Sequence, residues 1–240
     1  MYIMSRLLFL CCSFLFISSV VMGQNTRNLE RTLQPKWKMQ IYDKESPVKA
    51  KTLLYNDIPK TFDFRGTVME SIRWKDKEGE KILILTTTGY FPYRDLSQKG
   101  FGQYSSGTKG EIYMYMFTNK DDDNGYVMTM KMYDVVPCGE GSPAPYIGYV
   151  PMGTVVTDLD NDGVTEVIVS YVTSCNDGEK GEYDLKVMLF NGEENILAKG
   201  AFIPSEGKVD KPVVEKADKT KKVFSKSVEE GWKKIANSFK

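Results

Sequence analysis

Short runs of alternating apolar and polar residues, separated by turn residues, fill most of the chain after residue 60. They predict strands at 61–74, 81–88, 111–118, 126–136, 154–157, 164–172, 183–190 and 196–203. Two stretches rich in turn residues, 89–110 and 138–151, are predicted as loops. About eight antiparallel strands at this spacing predict a mainly β fold, which is a sandwich, an open barrel or a few propeller-like blades.

The N-terminus has a different pattern, in which one basic residue precedes a long apolar run. Leu7 to Val21 is apolar apart from serines, and the small residue Gly23 follows it. The run has the size of a signal-peptide core and is short for a spanning helix, so we predict a signal peptide at 1–23. The protein is then exported to the periplasm, the cell surface or the medium. Residues 24–60 are polar and mixed, and we describe them as an N-terminal extension of the β domain at 61–206.

The C-terminal segment is rich in lysine, and the spacing of its apolar residues differs from that of the predicted strands. Residues 207–222 contain few apolar side chains and are predicted to be a linker. Apolar residues then recur at helical spacing and predict an amphipathic helix at 223–240; they are Phe224, Val228, Trp232, Ile235 and Phe239. A basic amphipathic helix can lie on a membrane. The interpretation we favour is that the apolar stripe packs on the protein's own sheet.

Composition excludes several classes of function. The chain of 240 residues contains no histidine, so imidazole-based catalysis and the common zinc sites are excluded. The 32 basic and 32 acidic residues balance, and loss of Arg6 with the signal peptide leaves a charge near −1. This balance is not that of a nucleic-acid-binding protein, so we expect no nucleic-acid partner.

Two cysteines, Cys138 and Cys175, remain after the signal peptide. An isolated pair in an oxidising compartment usually forms a disulfide, which is the prediction made here. Two buried free thiols are the alternative.

The segment from Asp158 to Glu166, which we call the acidic loop, places acidic residues at its first, third, fifth and ninth positions and Gly163 at its sixth. Carboxylate and carbonyl oxygens are the ligands of Ca²⁺, which takes six to eight of them. The β-branched runs on both sides predict that the loop joins two strands of a hairpin. An EF-hand is excluded because it needs flanking helices and a glutamate at position twelve, where this chain has Val169. The alternative is an Asp/Asn/Gly turn that holds no metal.

The loop resembles the Ca²⁺-binding loops of FG-GAP and VCBS-like β repeats, which carry the pattern D-x-D-x-D-G-x-x-D/E. The resemblance implies a Ca²⁺ site with carboxylate ligands from Asp158, Asp160, Asp162 and Glu166 and a carbonyl ligand from Val164. We expect the ion to be structural. A single match to the pattern gives no support for a complete repeat propeller.

Several short motifs follow one another along the chain in a specific order. They are Trp74-x-Asp76-x2-Gly79, Tyr133-Asp134-x3-Cys138, the run Val156–Glu166, Tyr171-x3-Cys175-x-Asp177, Leu185-Lys186, Ala198-Lys-Gly200 and the helix around Trp232. This order resembles a family of secreted Bacteroidota proteins catalogued under surface polysaccharide biosynthesis, over most of residues 60–240. The chain departs from the family after Cys175, where Asp177-Gly-Glu-Lys180 replaces Asp-x-Ser-Pro.

Two functions from different classes follow from these observations. The one we favour is a non-catalytic envelope domain that binds a glycan or an envelope protein and is associated with surface lipopolysaccharide. Its aromatic residues could stack on sugar rings or anchor the core; they are Tyr90, Phe91, Tyr93, Phe101 and Tyr104. The alternative is a glycan-active hydrolase or lyase that uses paired carboxylates from among Glu70, Asp95 and Glu111.

Overall fold

The computed structural model describes residues 48–95, 105–120, 125–142, 144–151, 153–175, 181–192 and 194–238. The predicted signal peptide and residues 24–47 of the predicted extension lie outside the described residues, as do Phe101, Tyr104 and the departure at 177–180.

The described residues form twelve strands and one α-helix, with short 3-10 turns at Tyr55–Asp57 and Pro204–Glu206. The strands are β1 (Lys51–Thr52), β2 (Thr67–Asp76), β3 (Gly79–Asp95), β4 (Ser105–Asn119), β5 (Val127–Gly139), β6 (Tyr146–Tyr149), β7 (Val155–Thr157), β8 (Glu166–Ser174), β9 (Tyr183–Phe190), β10 (Asn195–Ile203), β11 (Lys208–Val209) and β12 (Val213–Glu215), and the helix is α1 (Lys222–Ser238). The prediction of a mainly β fold with a C-terminal helix is confirmed.

The strands form two antiparallel sheets. Sheet A has the order β1-β2-β3-β4-β5, and sheet B has the order β11-β10-β9-β8-β6, with β12 on β10 and β7 on β8. One apolar core joins the facing sides of the two sheets. Sheet A contributes Ile72, Trp74, Leu83, Leu85, Ile112, Met114, Met116 and Met130, and sheet B contributes Val156, Val167, Val169, Tyr171 and Met188. Of the predicted architectures, the sandwich is the one that forms.

The helix α1 covers the other side of sheet B. Phe224, Val228, Trp232 and Ile235 of its predicted apolar stripe are buried, and Trp232 donates a hydrogen bond from Nε1 to the Leu185 carbonyl at 2.8 Å. Phe239, the last residue of that stripe, lies outside the described residues. Gly200 of β10 allows this contact, because a Cβ there would lie 2.8 Å from the indole ring. The apolar face of the helix therefore packs on its own sheet. Among the described residues, no helix is long and apolar enough to cross a membrane.

Two of the predicted loops contain strand residues. The segment 89–110 was predicted as a loop, but β3 continues to Asp95 and β4 begins at Ser105. A register shift between Thr87 and Tyr90 marks a bulge that absorbs the irregular residues, and pairing then resumes. Within 138–151, residues 146–149 form β6 on the edge of sheet B.

The predicted linker at 207–222 was also wrong in part. Its residues include β11 and β12, which both pair with β10, and the first residue of α1. These strands have only two and three residues, which is too short for an alternating pattern to be recognised in the sequence.

Candidate metal centre

The acidic loop joins β7 to β8, which pair through Thr157 and Glu166 at its base. The hairpin predicted around the loop is therefore present. Asn161 and Gly163 have positive φ values of 58° and 87°, which turn the chain back on itself within the loop. A side chain at Gly163 would be strained by this φ and would meet Lys77 at 3.3 Å.

Three of the four predicted carboxylates converge. One oxygen from each of Asp158, Asp160 and Glu166 lies within 4.8 Å of the other two. Glu166 is 2% exposed, so it forms the floor of this cluster. The fourth carboxylate, Asp162, accepts a hydrogen bond from the backbone N–H of Val164 at 2.8 Å and lies outside the group of three.

Backbone N–H groups of the loop hold the clustered carboxylates in place. Asp158 accepts hydrogen bonds from the N–H groups of Asp162 at 3.2 Å and Gly163 at 3.0 Å. Glu166 accepts one from Leu159 at 2.6 Å. Each carboxylate oxygen can accept more than one contact, so these bonds orient the side chains and leave capacity for a cation.

Burial and neighbouring negative charges both act on Glu166. Burial raises the pKa of Glu166 to about 7, and the charges of Asp160, Asp158 and Asp162 add to this effect against the hydrogen bond from Leu159. A divalent cation between these carboxylates would cancel the repulsion. The donor set consists of oxygen atoms alone, which suits a hard cation such as Ca²⁺. The residues present therefore fit the ion.

A buried polar network connects the acidic loop to sheet A. Thr165 donates to the carboxylate of Asp76 from its backbone N–H at 3.0 Å and from its hydroxyl at 2.7 Å. Trp74 Nε1 donates to the Thr165 hydroxyl oxygen at 2.7 Å, and Lys81 pairs with Asp76 at 2.8 Å. The Lys77 N–H also donates to the Gly163 carbonyl at 3.0 Å. The turn between β2 and β3 thus supports the loop from the opposite sheet.

The charge of Asp76 is part of this support. Burial alone would raise its pKa, but the hydrogen bonds from Lys81 and Thr165 and the charge of Lys81 outweigh burial and hold the pKa below the usual 3.8. Asp76 is therefore ionised at neutral pH, and it keeps the buried Lys81 ammonium compensated.

Lys221, at the start of α1, reaches the loop from a third direction. Its ammonium pairs with the carboxylate of Asp160. A cation that binds the cluster must compete with this ammonium for Asp160. Beside the loop is a cavity of about 610 Å³, and its walls come from both sheets and from the start of α1; they include Met116, Phe190 and Phe224.

Sequence reasoning missed Asp76, Lys81, Thr165 and Lys221. Asp76 and Thr165 are 89 residues apart, and Lys221 is 61 residues from Asp160. Asp76 lies in the motif Trp74-x-Asp76-x2-Gly79, which gives it no role at the loop, and Lys221 lies in the predicted linker. No local pattern could have associated Asp76, Lys81 and Lys221 with the loop.

The predicted disulfide is present. The sulfur atoms of Cys138 and Cys175 lie 2.12 Å apart. Cys138 belongs to β5 of sheet A, and Cys175 follows β8 of sheet B. The acidic loop enters the opposite end of β8, so the bridge and the loop lie roughly 26 Å apart along this strand. The two sheets are therefore linked at both ends of β8.

Two of the candidate catalytic carboxylates, Glu70 and Glu111, lie on opposite faces of sheet A. Glu70 lies on the face of sheet A that meets sheet B, because its neighbour Leu85 is in the shared core. Glu111 alternates with the core residue Ile112 and lies on the outer face, where it pairs with Arg65 at 3.2 Å and Lys109 at 3.0 Å. Asp95 is the last residue of β3.

Glu70 makes the stability of the protein depend on pH. Burial raises its pKa above the usual 4.5, against a hydrogen bond that it accepts from Thr154 at 2.6 Å. The protonated form is thus favoured by folding, so its contribution to stability is complete below pH 4.5 and is lost as the pH rises through the folded-state pKa.

Glu70→Gln is expected to remove this dependence, because glutamine does not ionise and can still accept the Thr154 hydrogen bond. Urea denaturation from pH 4 to 8 should show the variant gaining stability over wild type as the pH rises. The exposed Glu206→Gln serves as the matched control and should follow wild type. A constant difference between Glu70→Gln and wild type across this range would contradict the assignment.

No family model matches the chain, and neither a curated protein nor a solved structure matches it. The class of the protein is therefore described by its own structure: a two-sheet antiparallel sandwich with a C-terminal helix, an inter-sheet disulfide and an acidic hairpin loop.

Proposed function

We propose that the protein is an exported, non-catalytic domain of the cell envelope that binds Ca²⁺ in its acidic loop and associates with surface polysaccharide. The observation that carries this proposal is the convergence of Asp158, Asp160 and Glu166 on a loop that is held by both sheets. The signal-like N-terminus supports export. The resemblance of the ordered motifs to those of secreted Bacteroidota proteins supports the link to surface lipopolysaccharide.

The position of the loop favours a structural role for the ion. Asp158 and Glu166 are anchored to loop backbone, and Thr165 is anchored to Asp76 of sheet A. An ion here would stabilise the junction of two hairpins. A catalytic ion needs an open coordination position for water or substrate. The three converging carboxylates can each bind through two oxygens, and with the predicted ligands Asp162 and Val164 they would come close to filling the shell of Ca²⁺.

A binding role is favoured over hydrolysis by the positions of Glu70 and Glu111. Glycosidases place two carboxyl groups about 5–9.5 Å apart on either side of one sugar-binding cleft. These two residues lie on opposite faces of sheet A, and Glu111 is already paired with Arg65 and Lys109. A hydrolase or lyase would need a different pair.

The experiment is a glycan-array and lipopolysaccharide binding screen of the mature protein, in Ca²⁺ and in EDTA. We expect binding to a surface polysaccharide without cleavage of it. EDTA should weaken binding only at temperatures where it also unfolds the protein. A calcium-dependent cleavage of polysaccharide, abolished by Asp160→Asn while the melting curve is unchanged, would overturn the non-catalytic proposal.

A further inference from the structure

The outer face of sheet A, which points away from sheet B, carries aromatic rings and cations together. One part of this face, around Ile82, Ile84 and Phe117, is covered by apolar side chains of residues 53–68. Another part of this face carries a set of residues that we call the aromatic–cationic patch. It consists of Arg65, Phe91, Lys109, Tyr113, Lys131 and Tyr133.

Strand register places the patch residues side by side. Phe91 pairs with Lys109 and Tyr113 with Tyr133, so these side chains share one face across β3, β4 and β5. The rings of Tyr113 and Tyr133 stack with centroids 5.9 Å apart. Tyr113 is 7% exposed and Tyr133 is 66% exposed, so Tyr133 offers a free ring surface on a rigid base.

Three cations surround these rings. The guanidinium of Arg65 lies 5.7 Å from the centre of Phe91 and 5.8 Å from the centre of Tyr113. Lys109 Nζ is 5.0 Å from the Phe91 ring, and Lys131 Nζ is 6.0 Å from the Tyr113 ring. Cation–π contacts of this kind hold long basic side chains over the rings and leave their charges available at the surface.

Glu111 is the carboxylate that contacts the patch. It pairs with Arg65 and Lys109 and accepts a hydrogen bond from the Tyr113 hydroxyl at 2.8 Å. Burial alone would raise its pKa, but Lys109, Tyr113 and Arg65 outweigh burial and hold the pKa below its usual 4.5. Within this group of described residues, one negative charge stands against three positive charges, a local excess of about two positive charges.

We propose that the aromatic–cationic patch binds an acidic sugar chain, with the Tyr133 ring stacked on a sugar and with Arg65, Lys109 and Lys131 bound to carboxylate or phosphate groups. This inference rests on the proposed association with surface polysaccharide and names the surface that performs it. The C–H groups on one face of a sugar ring match the apolar, electron-rich face of tyrosine. The excess positive charge selects an acidic sugar over a neutral one.

A sugar chain fits these observations better than a nucleic acid. A single strand carries one phosphate per nucleotide and is bound through an extended track of basic residues. The patch has three cations, and the chain as a whole has a formal net charge of zero. The three cations can contact a few acidic groups locally, but a protein without net positive charge exerts no long-range attraction on a polyanion.

The test measures binding of the full mature protein to four probes: alginate as a carboxylated polysaccharide, lipopolysaccharide as a phosphorylated one, dextran as a neutral one, and oligothymidylate. We expect binding to alginate, to lipopolysaccharide or to both, and none to dextran. The two acidic probes distinguish a carboxylate from a phosphate as the group that is recognised. Tyr133→Ala and Lys131→Glu should each weaken this binding by about tenfold, the loss expected for an interface residue worth about 1.4 kcal/mol.

Matched controls lie outside the patch. Tyr55→Ala removes a tyrosine that is 67% exposed, and Lys222→Glu reverses a charge at the start of α1. Both controls should bind as wild type does, and all four variants should keep the wild-type melting temperature. If wild type, Tyr133→Ala and Lys131→Glu bind the polysaccharide equally, the patch is not the binding surface, while the proposed function stands. Absence of binding to any of the polysaccharide probes would contradict both the patch proposal and the proposed function. Oligothymidylate binding that is lost in Tyr133→Ala and Lys131→Glu would show that the patch binds a nucleic acid and not a sugar.

Discussion

Replacing Cys138 and Cys175 together by alanine is expected to lower the free energy of unfolding by about 4 kcal/mol. The bridge closes a loop between residues 37 apart in sequence and joins the end of β5 in sheet A to the end of β8 in sheet B. Without it, the unfolded chain gains conformational freedom, and this end of the sandwich loses its covalent link between the two sheets. Urea denaturation of wild type and the double variant measures the difference.

Alanine is a fair replacement here because Cys138 is 1% exposed and a small apolar side chain suits its site. Wild type denatured in a strong reductant provides the control, and it should approach the stability of the double variant. Equal unfolding midpoints for oxidised wild type and the double variant would show that the bridge does not stabilise the fold.

Calcium is expected to give the second large effect. At a free concentration a hundred times the Kd, Ca²⁺ should add about 2.7 kcal/mol to the free energy of unfolding, because it binds the folded loop and not the unfolded chain. The melting temperature should rise accordingly and return to its starting value in EDTA. Asp158→Ala should abolish the rise, since this carboxylate accepts hydrogen bonds from two loop N–H groups and is one of the three that converge.

Asp57→Ala is the matched control, because Asp57 is an exposed aspartate in a 3-10 turn outside the acidic loop. This variant should keep the full calcium-dependent rise. If wild type melts at the same temperature in Ca²⁺ and in EDTA, the ion has no structural role.

Much of the fold could be predicted from local patterns. Alternation identified the central strands, and helical spacing identified α1, because each buries one face and its side chains repeat with the matching period. The errors fell where pairing partners, and not local residues, decide the structure. The ends of β3 and β4 near Phe91 and Lys109 contain glycine and serine and read as a loop, yet they pair with each other beyond a bulge.

The sequence predicted the carboxylates that converge in the candidate site, but not the contacts that support them. The spacing of Asp158, Asp160 and Glu166 identified the carboxylates that converge. The contacts of Thr165 with Asp76 connect residues far apart in the chain and follow from how the two sheets face each other. Such long-range contacts carry no signature in a single sequence.

The aromatic–cationic patch shows the same limit. Phe91 was considered for sugar stacking as part of a loop, but it lies on a strand beside Lys109. Tyr113 and Tyr133 read as ordinary strand residues, and only the pairing of β4 with β5 places their rings together. A surface that is assembled across strands becomes visible when the register is known.

The most direct test of the account is calorimetric titration of Ca²⁺ into the purified mature protein, freed of metal beforehand and checked to be folded. The account predicts about one site per chain, present in wild type and in Asp57→Ala and lost in Asp158→Ala. Absence of any heat of binding at millimolar Ca²⁺, from protein that is folded, would contradict the claim that the acidic loop is a calcium site.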